Sequence, residues 1–164
     1  TSVFVTHDQE EAMSISDRIA VIREGALQQS EEPQLMYKSP QNLFVAKFLG
    51  TPPINILEAE LRDGALYCGG AKLADAKGKD SKKVLAGIRP ESFAADENGF
   101  AAAASHVEML GRDLIATFEL GGQPVKALID NDKIIRAGNV LRFKVKAGRI
   151  LLFDPETKAL VDTL

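Results

Sequence analysis

Apolar and polar positions change rhythm once along this chain, at Thr51-Pro52-Pro53. Upstream, Val3-Phe4-Val5 is an apolar run of β-branched and aromatic residues, which predicts a buried strand. Thr6-His7-Asp8 interrupts it with three polar side chains. Asp8 or Thr6 is placed to cap a helix whose first turn carries Gln9, Glu10 and Glu11, acids where the helix dipole favours them. Ala12, Met13 and Ile15 form its apolar face. Residues 19–22 predict a second strand, Glu24-Gly25 a turn, and 26–29 the returning strand of a hairpin. Ser30-Glu31-Glu32-Pro33 reads as a helix start, followed by Leu35, Met36 and Tyr37. Ser39-Pro40 ends that helix and is placed to cap another over 42–49, which Gly50 stops. The apolar positions of both helices read as core.

Thr51-Pro52-Pro53 cannot be helix interior and suits an extended linker. Beyond it the texture is short alternating segments divided by glycine turns. Strands are predicted at 56–61, 65–68, 71–73 and 84–88, the last stopped by Arg89-Pro90-Glu91 because proline cannot continue a central strand. Residues 74–83 are polar, carry Lys77, Lys79, Lys82 and Lys83, and read as a solvated loop. After a turn at Asn98-Gly99, strands follow at 101–110, 114–120, 125–129, 140–145 and 150–153. Gly121-Gly122 sits at a two-residue hairpin position, Asp130-Asn131-Asp132 breaks the next strand, and Asp154-Pro155 closes the set. Four consecutive alanines at 101–104 fit strand propensity poorly. The fold class expected is mainly β, a small barrel of oligonucleotide/oligosaccharide-binding type over 52–164, preceded by an α/β segment over 1–51.

Charge narrows the functions open to such a barrel. Of 164 residues, those at 1–51 carry a net charge of −3 and those at 52–164 a net charge of 0. Neither half offers the basic surface that sequence-independent nucleic-acid binding requires. The second half has no tryptophan, and most of its phenylalanines alternate as core residues rather than stacking platforms. A single cysteine, Cys68, allows no intramolecular disulfide and points to a reducing compartment. No apolar run of about 20 residues is present, so membrane association is expected to go through a partner. The chain opens on Thr1 inside an apparent strand, which reads as a fragment of something longer.

Few residues suggest chemistry. His7 follows an apolar strand and precedes a helix N-terminus, a position where α/β sheets bind ligands. Taken alone, a histidine after a strand is usually structural. His106 sits in a predicted strand and reads as structural. Glu10/Glu11 and Glu31/Glu32 fit helix first turns better than acid–base catalysis. Ser14, Ser16 and Ser30 lack a partner base. No Cys/His spacing suits a metal.

Residues Thr6-His7-Asp8-Gln9-Glu10-Glu11-Ala12 and Ser16-Asp17-Arg18-Ile19 closely resemble the switch-histidine segment of ABC-transporter ATPases. The likeness continues through Gly25, 33–37 and Phe44-Val45-Ala46-Lys47-Phe48-Leu49-Gly50. It then reaches Asn55 and Gly87-Ile88-Arg89-Pro90-Glu91, which look like the accessory TOBE barrel of sugar-importer ATPases of the maltose and glycerol-phosphate kind. The resemblance spans nearly the whole chain in register. It implies that His7 approaches the γ-phosphate of ATP and helps hold the attacking water in line, a task of positioning and charge stabilisation. Asp8 could orient the imidazole, although capping is its more natural role. The resemblance also implies ATP and Mg as cofactors of a full-length parent. The parts that bind nucleotide in such ATPases are not in these residues: no GxxxxGK(S/T) loop, no strand ending in paired acids and no signature Ser-Gly-Gly segment. No cofactor or metal is therefore expected on these residues alone, and they are expected neither to bind ATP tightly nor to hydrolyse it.

The function so implied is the C-terminal regulatory portion of the ATP-hydrolysing subunit of a sugar or polyol importer. Its barrel would form a homodimer contact and couple ATP-driven closure to integral membrane permease subunits, with a solute-binding protein engaged indirectly. Its place would be peripheral, on the cytoplasmic face of the bacterial plasma membrane, with no nucleic-acid partner. Asn55 is expected to tie the barrel to the ATPase half through backbone hydrogen bonds. Arg89 is expected to stop a strand or to pair with an acid, Glu91 included. The alternative is a barrel that senses a small oxyanion, which needs convergent Ser, Lys and Arg donors, and no compact cluster of them is visible.

Overall fold

In the computed structural model, residues 2–130 and 134–164 are described. Asn131 and Asp132 of the expected strand break lie outside them. Among the described residues the chain is mainly β, with a curled half-barrel of strands and few helices.

The first elements are α1 (Gln9–Ile15), β1 (Ile19–Arg23), β2 (Ala26–Glu31), α2 (Pro33–Lys38) and α3 (Leu43–Phe48). Asp8 caps α1: its Oδ1 accepts from the backbone N–H groups of Glu10 and Glu11 at 2.9 and 3.0 Å, satisfying donors that a helix start leaves orphaned. Ser39 ends α2, but the cap of α3 is Asn42, whose side chain accepts from the Val45 N–H at 3.0 Å. β1 and β2 form the expected antiparallel hairpin. Ile19, Val21, Met36, Val45 and Leu49 bury a small core, with Ala12 and Met13 of α1 against it. Ile15 belongs to the exposed side instead.

Val3-Phe4-Val5 is not a buried strand. Val3 and Val5 are each 90% exposed, and no described strand pairs with them. An apolar run becomes a strand only where a neighbour takes its N–H and C=O groups.

Past the linker come β3 (Asn55–Arg62), β4 (Ala65–Cys68), β5 (Ala71–Asp75), β6 (Lys82–Ile88) and a 3-10 turn (Pro90–Ser92). They are followed by β7 (Phe93–Leu110), β8 (Asp113–Leu120), β9 (Gln123–Asp130), β10 (Val140–Val145), β11 (Ile150–Phe153) and β12 (Leu160–Thr163). They build a six-stranded sheet, β12-β11-β6-β3-β4-β5, and a four-stranded sheet, β10-β7-β8-β9, with antiparallel ladders throughout. The sheets share one core, to which the alternating side chains Leu57, Leu61, Leu66, Val84, Phe118, Val125, Phe143 and Leu152 contribute. The rings of Phe118 and Phe143 stack at its centre, 4.9 Å apart, with Phe93 edge-on at 5.8 Å from Phe118.

Three expectations change here. The polar loop is shorter than 74–83, because β5 runs through Asp75 and β6 starts at Lys82. Asn98-Gly99 does not separate two strands. It lies inside β7, where the β10 register jumps from Ala101 to Ala95 and residues 96–100 leave the ladder. Ala102 in the alanine run points into the core that holds the four rings of Phe93, Phe100, Phe118 and Phe143. A small side chain beside large ones explains strand formation against propensity. The third change is β12, which sequence patterning missed because only Leu160 and Val161 are apolar within it. It pairs with β11.

The β4–β5 turn abuts the β8–β9 turn. Gly69 has φ +53°, and a Cβ on it would overlap the Gly121 backbone. Gly70 has φ +87° and open space around it. Gly69→Ala is therefore expected to cost more than Gly70→Ala by about 1–3 kcal/mol, the cost of overpacking added to the shared strain of positive φ. Urea unfolding of the two variants measures the difference.

β11 is buried on both faces. Ile150 and Leu152 face the shared core, while Leu151 and Phe153 join Ala46 of α3 and Ile54 in a separate cluster. Gly87 makes room there: a Cβ would sit 2.8 Å from the Phe153 ring and 3.0 Å from Ile54. Backbone bonds reinforce the contact, Leu43 N–H to Lys158 O and Leu160 N–H to Gln41 O, both 2.9 Å. The helical segment is thus docked on the outer face of the six-stranded sheet.

Candidate functional site

The sequence-derived residues fall in three places. His7 is exposed, in the turn before α1. That turn is tightly tied: Thr6 Oγ1 accepts from the Asp8 N–H and donates to Glu11 Oε2, both at 3.0 Å. Asn55 lies at the start of β3, and Arg89 and Glu91 lie between β6 and β7.

Asn55 does not reach the helical segment. Its Nδ2 donates to Ile88 O at 2.9 Å and to Lys126 O at 2.8 Å, and its Oδ1 accepts from the Lys126 N–H at 2.8 Å. Gln123 does the reciprocal from the other strand. Its Oε1 accepts from the Glu58 N–H at 2.8 Å, and its Nε2 donates to Glu58 O at 3.3 Å. β3 and β9 belong to different sheets, and these two carboxamides stand in for the missing ladder between them. The bonds are to backbone, as expected, but they join sheet to sheet. A carboxamide carries donors and an acceptor together, so it can pair with both groups of one residue's backbone.

Arg89 makes the link that was expected of Asn55. It is 6% exposed. Its Nη1 donates to Leu49 O at 2.7 Å, and its Nη2 donates to Tyr37 O at 2.9 Å. Those carbonyls lie at the C-terminal ends of α3 and α2, where helices leave acceptors unsatisfied and favour a cation. The guanidinium also lies 3.4 Å from the centroid of the Tyr37 ring. Among the described residues Arg89 forms no ion pair with Glu91. Glu91 instead accepts from the Tyr37 hydroxyl at 2.7 Å, and its backbone carbonyl accepts from Lys146 Nζ at 2.8 Å. Burial pulls the Arg89 guanidinium down from its ordinary value, opposed by the nearby Tyr37 and Glu91.

Burial first, and then the hydrogen bond to Glu91, push the Tyr37 phenol from 10.0 up to about 12, against the lowering effect of Arg89. A raised folded-state pKa adds stability that is complete below the unfolded value and is lost as pH rises through the folded one. The Tyr37 contribution is therefore whole below pH 10.0 and fades towards about pH 12. In an absorbance titration, Tyr37→Phe is expected to lose a tyrosinate step near pH 12. A step at that pH surviving in the variant contradicts the assignment.

Two further residues, not singled out as site candidates from the sequence, complete the junction. Gln9 accepts at Oε1 from the Gly50 N–H at 2.6 Å. Gly50 has φ +104°, and a Cβ there would lie 3.0 Å from Arg89 Nη1 and 3.2 Å from the Tyr37 ring. Gly50 was legible as a helix stop. Gln9 was legible only by its place in the first turn and within the resembling segment 6–12, neither of which pointed to Gly50.

Elsewhere, a cleft of about 560 Å³ on the outer face of β3, β4 and β6 is lined by Glu58, Glu60, Arg62, Tyr67, Lys83 and Lys158, among others. Arg62 lies over the Tyr67 ring at 4.7 Å. Phe93, Phe118, Phe143 and Phe153 are buried in the cores and present no stacking face. Among the described residues no cluster of His, Cys, Asp or Glu could hold a metal, and no helix is long and apolar enough to cross a membrane. Both imidazoles, those of His7 and His106, are exposed.

Residues 86–153 match the TOBE domain family. The chain is homologous to the C-terminal part of ABC transporter ATP-binding proteins of sugar and glycerol-3-phosphate importers. In particular, it is 36% identical over 160 residues to the sn-glycerol-3-phosphate import ATP-binding protein UgpC of a Jannaschia species, a match covering 95% of this chain and 45% of that protein. It is 32% identical to the diacetylchitobiose uptake system ATP-binding protein MsiK of Streptomyces coelicolor, covering 96% of this chain and 49% of that one. It is 31% identical to the oligosaccharides import ATP-binding protein MsmX of Bacillus subtilis, covering 96% and 48%. The chain spans under half the length of these relatives.

Proposed function

We propose that this chain is the regulatory C-terminal portion of the ATP-hydrolysing subunit of an ABC importer for a sugar or related polyol. Residues 1–51 close the ATPase domain, and 52–164 form the regulatory barrel. The barrel keeps two subunits together and passes their opening and closing to membrane permease subunits, with a solute-binding protein engaged through those. The complex sits on the cytoplasmic face of the bacterial plasma membrane. His7 serves ATP hydrolysis in the longer protein. The relatives' roles support this reading. The observation that carries it is the cluster of Ala46, Ile54, Leu151 and Phe153, which seats the His7-bearing segment on the six-stranded sheet. Such a joint lets a change at one part bias the other.

The test is the longer protein with and without 52–164. Deletion is expected to turn a nucleotide-free dimer into monomers in analytical ultracentrifugation. His7→Ala is expected to lower Mg-ATP turnover by at least tenfold, in line with losing a positioning group. A dimer that survives deletion, or turnover indifferent to His7, overturns the corresponding half. The cleft mixes Glu58 and Glu60 with Arg62, Lys83 and Lys158. Calorimetric titration with molybdate, sulfate and phosphate separates this reading from an oxyanion-sensing barrel, and no heat from any of them counts against sensing.

A further inference from the structure

We infer that the peptide group between Leu49 and Gly50 is a two-ended clamp through which the barrel sets the position of the His7 turn. The clamp rests on three observations. Arg89, on the barrel side, donates to Leu49 O at 2.7 Å. Gln9, two residues after His7, accepts from Gly50 N–H at 2.6 Å. Leu49 C=O and Gly50 N–H belong to one peptide unit. A cation on its oxygen draws charge from its nitrogen and makes the N–H a stronger donor, so the two bonds strengthen each other. The short Gln9 contact fits that polarisation.

The surroundings leave the clamp little play. Arg89 is fixed by its second bond, to Tyr37 O, and by the Tyr37 ring beneath it. Tyr37 is in turn held by Glu91, two residues beyond Arg89. Gly50 adopts φ +104°, and its bare Cα lets Arg89 and Tyr37 close over it. On the other side Gln9 opens α1, whose cap Asp8 and tie Thr6–Glu11 hold the backbone of His7. The route from barrel to imidazole is therefore Arg89, the 49–50 peptide, Gln9 and the capped turn. Gln9 and Arg89 are positioning residues. That the turn serves ATP hydrolysis rests on the function proposed above, whereas the clamp itself does not.

Nuclear magnetic resonance of this chain tests the clamp directly. In the parent protein the Gly50 amide proton is expected far downfield. Arg89→Lys keeps the charge but loses the fork, and Gln9→Ala removes the acceptor. Both are expected to move the Gly50 proton upfield, shift the His7 ring resonances and speed exchange of the Ala12 amide roughly tenfold, the loss of one hydrogen bond. The double variant is expected to do little more than either alone. Gly70→Ala, remote from the clamp, controls for general loss of stability. If Arg89→Lys leaves the Gly50 and His7 signals in place, the clamp is refuted. Gln9→Ala changes a side chain at the edge of the fold and keeps the test open should Arg89→Lys unfold. Unchanged His7 signals in it refute the clamp equally. In the longer protein both variants are expected to lower kcat with KM unchanged. Turnover indifferent to His7→Ala would defeat the functional reading while the resonance shifts still decide the clamp.

Discussion

Arg89→Met is expected to lower the unfolding free energy of this chain by about 3 kcal/mol, read as a lower urea midpoint at unchanged slope. Methionine keeps most of the apolar stem, so the loss isolates the guanidinium. Two carbonyls, Leu49 O and Tyr37 O, lose a charged donor, and bonds of that kind contribute roughly 1.5–3 kcal/mol each. The cation over the Tyr37 ring adds about 1–2 kcal/mol. Against this stands the desolvation of a buried cation, which a neutral side chain recovers in part. The acceptors decide the sign, because methionine leaves them buried without a partner. Arg23 offers the contrast. It lies over Phe44 at 4.9 Å, but its side chain is 52% exposed. Arg23→Met is expected to change stability by less than about 0.5 kcal/mol. Equal effects at the two positions would show that the buried bonds contribute nothing special.

Phe118→Ala is expected to cost about 4 kcal/mol, within the range for truncating a buried aromatic side chain. Its ring is fully buried and lies 4.9 Å from Phe143, 5.8 Å from Phe93 and 6.2 Å from Phe100. Those rings come from β7 and β10 around a strand in the middle of the sheet, so collapse into the cavity would require moving the ladders. Phe48, 41% exposed and stacked on Phe44 at 6.1 Å, can be truncated with relaxation into solvent. Phe48→Ala is expected to cost about 1 kcal/mol. The two midpoints, measured side by side, test whether the four-ring cluster is the mechanical centre of the fold.

Local chemistry determined a good deal of this protein. Alternation in β8, β9 and β10, glycine turns between them, the acid-rich start of α1 and the proline break at 51–53 each arise from neighbours a few residues apart. They are therefore readable along the chain. The mainly β class, the cap at Asp8 and the family resemblance all followed from such local patterns. Val3-Phe4-Val5 shows the limit, since its apolar run specifies a strand only when another strand lies beside it. Asn98-Gly99 shows another. A dipeptide that favours a turn became a bulge inside β7 because β10 continues the pairing past it.

The junction was decided by tertiary structure. Arg89 is 40 residues from Leu49 and 52 from Tyr37, and Asn55 is 71 from Lys126. The sequence determined that a fork of donors and a carboxamide would need partners. It did not contain their choice, because backbone carbonyls and N–H groups are the same at every residue. Only the fold brings a particular one within 3 Å. The docking of α3 on β11 placed Leu49 O, Tyr37 O and Arg89 together, and so gave to Arg89 the linking role that the family resemblance had assigned to Asn55.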